Sequence, residues 1–420
     1  MTLIFVGFPR WRVVLTISPT EPRIFTVLPR YLLSYACLFV SLAAYGQTPV
    51  IRDRMQRFVD EGEISGAVTV VGHASGIVHH EAVGLAKIEG NVPMVKDTMF
   101  RIASMTKPIT AMGIMLLVED GKLAVDDPVE KHLPEFKGQM LVSARDKDTI
   151  TLKKPARPIT IKDLMTHTSG LPGGYPSGIA DVYTKRNRTL NDTTLVISQQ
   201  PLNFEPGTKW SYCNAGIDTL GRIIEVVSGE PYEKFLQDRI FDPLAMKDTT
   251  FYPNAEQVTR TATNYGKKDG KLVAAPNTLL DYTKGAKHPV PAGGLFSTGA
   301  DLAKLYSALL NKGKSGTKTI LSEKSLAEMT TIHTGDLKAG FVDGTGFGYG
   351  FAIVREPIGA TDMLSPGTFG HGGAFGTQGW IDPKHDLFMI LLIQRNGLAN
   401  GDASPMRKEL QRLAVATIAK

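Results

Sequence analysis

Ser104-Met105-Thr106-Lys107-Pro108-Ile109-Thr110-Ala111-Met112-Gly113-Ile114-Met115-Leu116-Leu117-Val118 is the stretch on which the reading of this chain turns. Its apolar residues have helical spacing, and Asp120-Gly121 ends it with a good C-terminal stop, so a helix is expected over 104–118. Ser104 and Lys107 stand at its first turn. Residues three apart share a helix face, so Lys107 Nζ can reach Ser104 Oγ. A serine hydroxyl needs a base before it attacks a carbonyl at neutral pH. A lysine is such a base once desolvation and nearby positive charge lower its pKa. The helix N-terminus supplies positive field, which also favours an oxyanion on a substrate.

S-x-x-K alone is weak. Ser315-Gly316-Thr317-Lys318 is a second copy, in a Gly/Lys-rich stretch with no apolar helix after it, and reads as a solvated loop. The bland alternative for Ser104 is an N-cap serine with an exposed lysine.

Working outward, Val50–Glu61 has helical spacing. Ala67–Val71 and Ile77–Val83 read as a hairpin turning around Gly72 and Gly76. Residues from about 122 to 290 are richer in Pro, Gly and polar loops. Helices are expected there at Ile161–Thr166, Ala215–Ser228 and Tyr232–Ile240, and another at Ala300–Leu310. Strand signals return at Gly348–Val354, Thr377–Asp382 and Leu387–Gln394, before a final helix from about Pro405 to Ile418. The pattern is α+β: an antiparallel sheet flanked by helices, with a mostly helical insertion at about 122–290.

Two further motifs follow the serine in order. Tyr212-Cys213-Asn214 is a Y-x-N before a helix, in the context Glu205-Pro206-Gly207-Thr208-Lys209-Trp210-Ser211. Gly370-His371-Gly372-Gly373 lies in a strand region. With Ser104 and Lys107, these resemble S-x-x-K, Y-x-N and K-T-G, the ordered motifs of the serine β-lactamase and penicillin-recognising superfamily. The variant resembles its class C branch, with family VIII carboxylesterases, D-aminopeptidases and D,D-peptidases. Leu164-Met165-Thr166-His167-Thr168-Ser169-Gly170-Leu171, Asp242-Pro243-Leu244-Ala245-Met246 and Ala292-Gly293-Gly294-Leu295-Phe296-Ser297-Thr298 match it too, so the resemblance spans about residues 50–415.

The resemblance implies an acyl-enzyme on Ser104, with Lys107 and Tyr212 sharing the proton work in an order it does not fix. It implies that Asn214 hydrogen-bonds Lys107 and the acyl side of the substrate. The backbone N–H groups of Ser104 and Ala374 would form the oxyanion hole, and Gly372 and Gly373 would let substrate approach the strand. No metal or cofactor is implied. The departure is His371, where penicillin-recognising members carry Lys. A mostly neutral histidine attracts a substrate carboxylate less, which shifts the expectation toward uncharged esters or amides. A D,D-peptidase, a true β-lactamase and a non-catalytic sensor are the other readings. Against the sensor stands the intact set of Ser104, Lys107, Tyr212 and Asn214.

Other signals carry less. Tyr252-Pro253-Asn254 repeats Y-x-N but reads as loop. His79-His80-Glu81 has no spaced partner and reads as an exposed strand end rather than a metal site. Gly344, Gly346, Gly348 and Gly350 lack nucleotide-loop spacing and mark a turn into a strand. His167 reads as structural, bracing the loop near the site. No G-x-S-x-G elbow is present, which argues against an α/β-hydrolase.

The 420 residues are about 42% apolar and 21% charged, ordinary for a globular chain. Of the net +6, the first 46 residues hold +3 (Arg10, Arg12, Arg23, Arg30 against Glu21). The remainder holds 43 basic against 40 acidic residues. No basic cluster interleaves with aromatics, so nucleic-acid binding is not expected. Partners are small ester, amide or peptide substrates. The apolar run Tyr31–Tyr45 is too short to span a bilayer and suits a signal-peptide core, with cleavage before Gln47. That places the mature domain, 47–420, in the periplasm or outside the cell, with no membrane span; an uncleaved N-terminal anchor is the other reading. Cys37 leaves with the segment, so Cys213 has no intrachain partner.

Overall fold

Leu387-Phe388-Met389-Ile390-Leu391-Leu392 is apolar at every position, so a strand there must be covered on both faces. The computed structural model places it at the centre of an eight-stranded sheet. The structure describes residues 48–179, 181–275 and 285–418. The expected targeting segment, with Cys37 and Gln47, lies outside the described residues. Among these, no helix is long and apolar enough to cross a membrane.

The strands are β1 (Gly66–His73), β2 (Gly76–Lys87), β3 (Val92–Pro93), β4 (Thr345–Phe347), β5 (Ala352–Val354), β6 (Phe369–Gly372), β7 (Gln378–Asp382) and β8 (Leu387–Leu392). Their spatial order is β4-β5-β6-β7-β8-β1-β2-β3, and each pairing is antiparallel. The N- and C-terminal parts of the domain therefore build one sheet, joined where β1 pairs β8 with Val70 opposite Ile390.

Alternation assigns the two faces. Val68, Val70, Phe388, Ile390 and Leu392 pack with Leu302 and Leu305 of α4 (Gly299–Leu310) and with Met112 and Met115 of α2 (Thr106–Glu119). Ala67, Val71, Met389 and Leu391 face the other way. They meet Ile51, Met55 and Phe58 of α1 (Thr48–Asp60) and Met406, Leu410 and Leu413 of α5 (Pro405–Thr417). Each fully buried Leu or Ile contributes about 2 kcal/mol of burial. The α+β class with an antiparallel sheet flanked by helices is therefore the observed one.

The segment at about 122–290 is rich in helices and also carries two hairpins, Leu141–Arg145 with Ile150–Lys153 and Tyr265–Lys268 with Lys271–Ala274. Its main helix, α3 (Asn214–Ser228), shares the core of the first sheet face. It crosses α2 where Gly113 stands; a Cβ there would lie 2.8 Å from Ile224 Cδ1.

Several local expectations are corrected. The helix expected from Ser104 begins at Thr106, because Ala103 takes a left-handed φ of 48° and Ala103–Met105 forms a separate 3-10 turn. Gly348–Val354 is not one strand: β4 and β5 form a hairpin around Gly348–Phe351. Ser315–Lys318 is not a loop but the tip of a short hairpin, Lys314–Ser315 against Lys318–Thr319. A helix does follow the second Y-x-N. Asn254 caps Ala255–Arg260 in a box with Gln257, an N-x-x-Q pattern visible in the sequence. His79 is not exposed; it is buried on β2, and its Nε2 pairs with Thr69 Oγ1 at 2.8 Å.

Candidate active site

Ala103 holds a non-glycine residue in a region that costs about 1–3 kcal/mol, and such strain clusters at functional sites. It turns the chain so that Ser104 precedes α2 and Lys107 lies in the first turn of that helix. Lys107 is fully buried. Its Nζ donates to Ser104 Oγ at 3.0 Å and to the Ala292 carbonyl at 2.6 Å. Burial is the main reason its pKa drops to about 7, against the opposing pull of Asp218 and Cys213.

Tyr212 precedes α3, and its phenol lies beside the Ser104 side chain. Its ring centroid lies 4.6 Å from Lys107 Nζ. Burial pushes the phenol well above its ordinary value, so it stays protonated at neutral pH. The loop carrying it is pinned by His167. The His167 carbonyl accepts the Ser211 N–H at 2.9 Å, and its Nδ1 accepts the Cys213 N–H at 3.2 Å. His167 is fully buried with φ 60°, its ring centroid 4.6 Å from that of Tyr212. The bracing expected of it is observed. Cys213 caps α3, its Sγ accepting from the Gly216 N–H.

Asn214 opens α3, half-buried, with its N–H on the Gly173 carbonyl at 3.3 Å. Among the described residues, the hydrogen bond implied between Asn214 and Lys107 is not formed; Ser104 and Ala292 take the lysine instead.

His371 lies on β6, buried, with its ring centroid 6.0 Å from Tyr212. Its Nδ1 donates to the Gly372 carbonyl at 2.6 Å. Burial, then Lys107, lowers its pKa to about 4, so it is neutral at pH 7. A small cavity of about 10 Å³, room for about one water, adjoins it, lined also by Phe341, Phe347, Trp380, Asp402 and Arg407.

The protein's own packing also leaves little room for a side chain at Gly372 and Gly373. A Cβ on Gly372 would meet Asp402 Oδ1 at 2.1 Å, and one on Gly373 would meet Thr377 Oγ1 at 2.1 Å and the Ile102 carbonyl at 2.5 Å. That last approach lays the end of β6 against the residues leading into Ser104. Ala374, exposed in the following turn, is thereby carried to the same region as Ser104.

Four residues were missed by sequence reasoning. Asp218, one turn after Asn214 on α3, is fully buried. Its carboxylate accepts from the Ala292 N–H at 2.9 Å, from Tyr183 at 2.5 Å and from Tyr175. Phe341 is 44% exposed beside the site, its ring 4.8 Å from Tyr212 and 5.8 Å from Trp210. For Asp218 the i, i+4 spacing from Asn214 was the available signal; for the others there was none.

A serine, a buried lysine of lowered pKa and a protonated tyrosine thus converge beside the end of β6. The β-lactamase family model matches residues 51–413. The chain belongs to the β-lactamase family. Among relatives, esterase EstB of Burkholderia gladioli is 29% identical over 358 residues, covering 79% of this chain and 86% of EstB. A candidate D-alanyl-D-alanine carboxypeptidase of Escherichia coli K12 is 28% identical over 373 residues, 81% of each chain. The solved structure of EstCE1, a hydrolase with promiscuous acyltransferase activity, superposes with a TM-score of 0.75 at 26% identity over 90% of this chain and all of that one. This member of the β-lactamase family thus has the fold of serine hydrolases that include esterases.

Proposed function

We propose that the chain is a serine esterase acting through an acyl-enzyme on Ser104. The observation that carries this is the 3.0 Å contact between Ser104 Oγ and a fully buried Lys107 whose pKa falls to about 7. A lysine poised there is half neutral at pH 7 and can accept a proton. Ser104 Oγ attacks the ester carbonyl as its proton passes to Lys107 Nζ. The backbone N–H groups of Ser104 and Ala374 meet the oxyanion. The C–O bond to the leaving alcohol then breaks, and the alkoxide takes a proton from Tyr212, whose raised pKa keeps it a donor. Tyr212 is re-protonated from the Lys107 ammonium. Water repeats the sequence on the acyl-enzyme and releases the acid.

Two features favour uncharged esters over peptide C-termini or β-lactams. His371 is neutral and buried, so it offers a substrate carboxylate no fixed charge. The rim formed by Trp210, Tyr212 and Phe341 is aromatic and suits an apolar group. Asn214, at the mouth of α3, positions the acyl side. The kinship with EstB and EstCE1 supports the same reading.

The test offers the purified chain a short-chain nitrophenyl ester, a chromogenic cephalosporin and a D-Ala-D-Ala peptide. Ester turnover is expected to lead, and Ser104→Ala should lose about 10³-fold or more. Equal ester hydrolysis by Ser104→Ala would refute the nucleophile. Faster cephalosporin or peptide turnover would refute the substrate class.

A further inference from the structure

The buried carboxylate of Asp218 has no part in the proton transfers above, yet it is tied to the base through one peptide group. Its Oδ1 accepts the Ala292 N–H at 2.9 Å, and the carbonyl of the same residue accepts Lys107 Nζ at 2.6 Å. We propose that Asp218 is a positioning residue for Lys107, fixing the Ala292 peptide so that its carbonyl holds the amine beside Ser104 and supplying the negative charge that balances the ammonium formed there. The proposal rests on the reading of Lys107 as the base.

The donor count around Asp218 fits an ionised carboxylate. Three donors, the Tyr175 and Tyr183 hydroxyls and the Ala292 N–H, converge on two oxygens. A carboxylate is acceptor-only and takes all three without conflict. The two tyrosine rings meet edge to face at 5.3 Å, which fixes both hydroxyls toward Asp218.

The peptide that Asp218 grips is tied to α2 on its other side. Thr110 Oγ1 donates to the Pro291 carbonyl at 2.8 Å, and the Leu295 N–H donates to Thr106 Oγ1 at 3.3 Å. The 291–295 segment is thus clamped between α2 and α3, and the Asp218 bond is the α3 side of the clamp. A carboxylate on a peptide N–H also polarises its C=O, which strengthens the acceptor offered to Lys107.

The charge around Lys107 makes the second role necessary. Ser104, Tyr212, Cys213, His167 and His371 face it, and each is neutral at pH 7. Burial raises the Cys213 thiol to about 12 and keeps both histidines below their ordinary range. Asp402 lies beside His371 rather than beside the lysine. An ammonium formed in these surroundings is costly without a counter-charge. Asp218 provides it at one peptide's remove, too far to form a tight ion pair that would hold the lysine permanently protonated.

The test is the pH profile of kcat/KM for the nitrophenyl ester, from about pH 5 to about pH 9, in the native chain, Asp218→Asn and the double variant Tyr175→Phe/Tyr183→Phe. Removing the negative charge lowers the lysine pKa, so Asp218→Asn should move the acid limb down by about half a pH unit or more. The plateau should fall about tenfold. The double variant strips both hydroxyls from Oδ2 at half-buried positions, where Phe is tolerated; its limb should move the same way by less. A cooperatively melting variant of either kind that keeps the native midpoint, losing only stability or plateau rate, would overturn the proposal. The native profile tests the other reading separately: without an acid limb near pH 7, Lys107 is not the base.

Discussion

Lys107 concentrates the chemistry in one protonation state. Below its pKa of about 7 the amine is an ammonium and cannot take the Ser104 proton. kcat/KM should therefore rise about tenfold per pH unit on the acid side and level off above about pH 7. Tyr212 is held far above neutrality, so it should add no falling limb on the alkaline side below about pH 10. The profile distinguishes Lys107 from its neighbours: a midpoint near 4 would assign the limb to His371, and one near 6 to Asp218. At this scale the sequence was informative where a motif is local. Ser104 and Lys107 are three residues apart, and Tyr212 lies beside a helix start. The Ala292 carbonyl, 185 positions from Lys107, was not legible, because a backbone acceptor has no residue type to announce it. Nor was the missing Asn214 contact, which depends on how α3 is rotated.

Elements meet at glycines, and the sequence pattern gave no reason to single these out. Gly221 on α3 faces Pro291, and a Cβ there would lie 2.3 Å from Pro291 Cγ. A proline ring cannot swing aside, so α3 and the 291–295 segment would have to part. Gly221→Ala should cost about 1–3 kcal/mol by overpacking. It should also lower kcat more than it raises KM, since the displaced segment carries the acceptor of Lys107. Thermal melts and steady-state kinetics read the two effects. A variant with native Tm and native kcat would show that the contact relaxes without moving Ala292. The helices and central strands were readable because their periods are strong. The short elements were not: the Thr345–Phe347 strand, the Ser315 hairpin and the Asn254 cap have too few residues for a period. Asn254 was legible only through its capping pattern, which the Y-x-N match obscured.

The whole molecule makes the site from distant parts of the chain. Ser104 and Lys107 come from the segment after the first hairpin, Tyr212 and Asp218 from the helix-rich segment, and His371 from the returning strands. The α+β plan was legible because strands cluster at both ends of the domain. That the two ends close on each other was not. The β1–β8 pairing and the α1–α5 contact, marked by Arg54 Nε on Glu409 Oε2 at 3.3 Å, are long-range facts with no local signal. Because the helix-rich segment and the sheet share one core, it has no separate interior on which to unfold alone. Loss of ester hydrolysis and loss of far-UV ellipticity should therefore coincide over the same range of urea. Activity vanishing at clearly lower urea would show that the 212–218 and 291–295 clamp opens before the sheet does. In that case the helix-rich layer, and not the whole domain, would set the stability of the site.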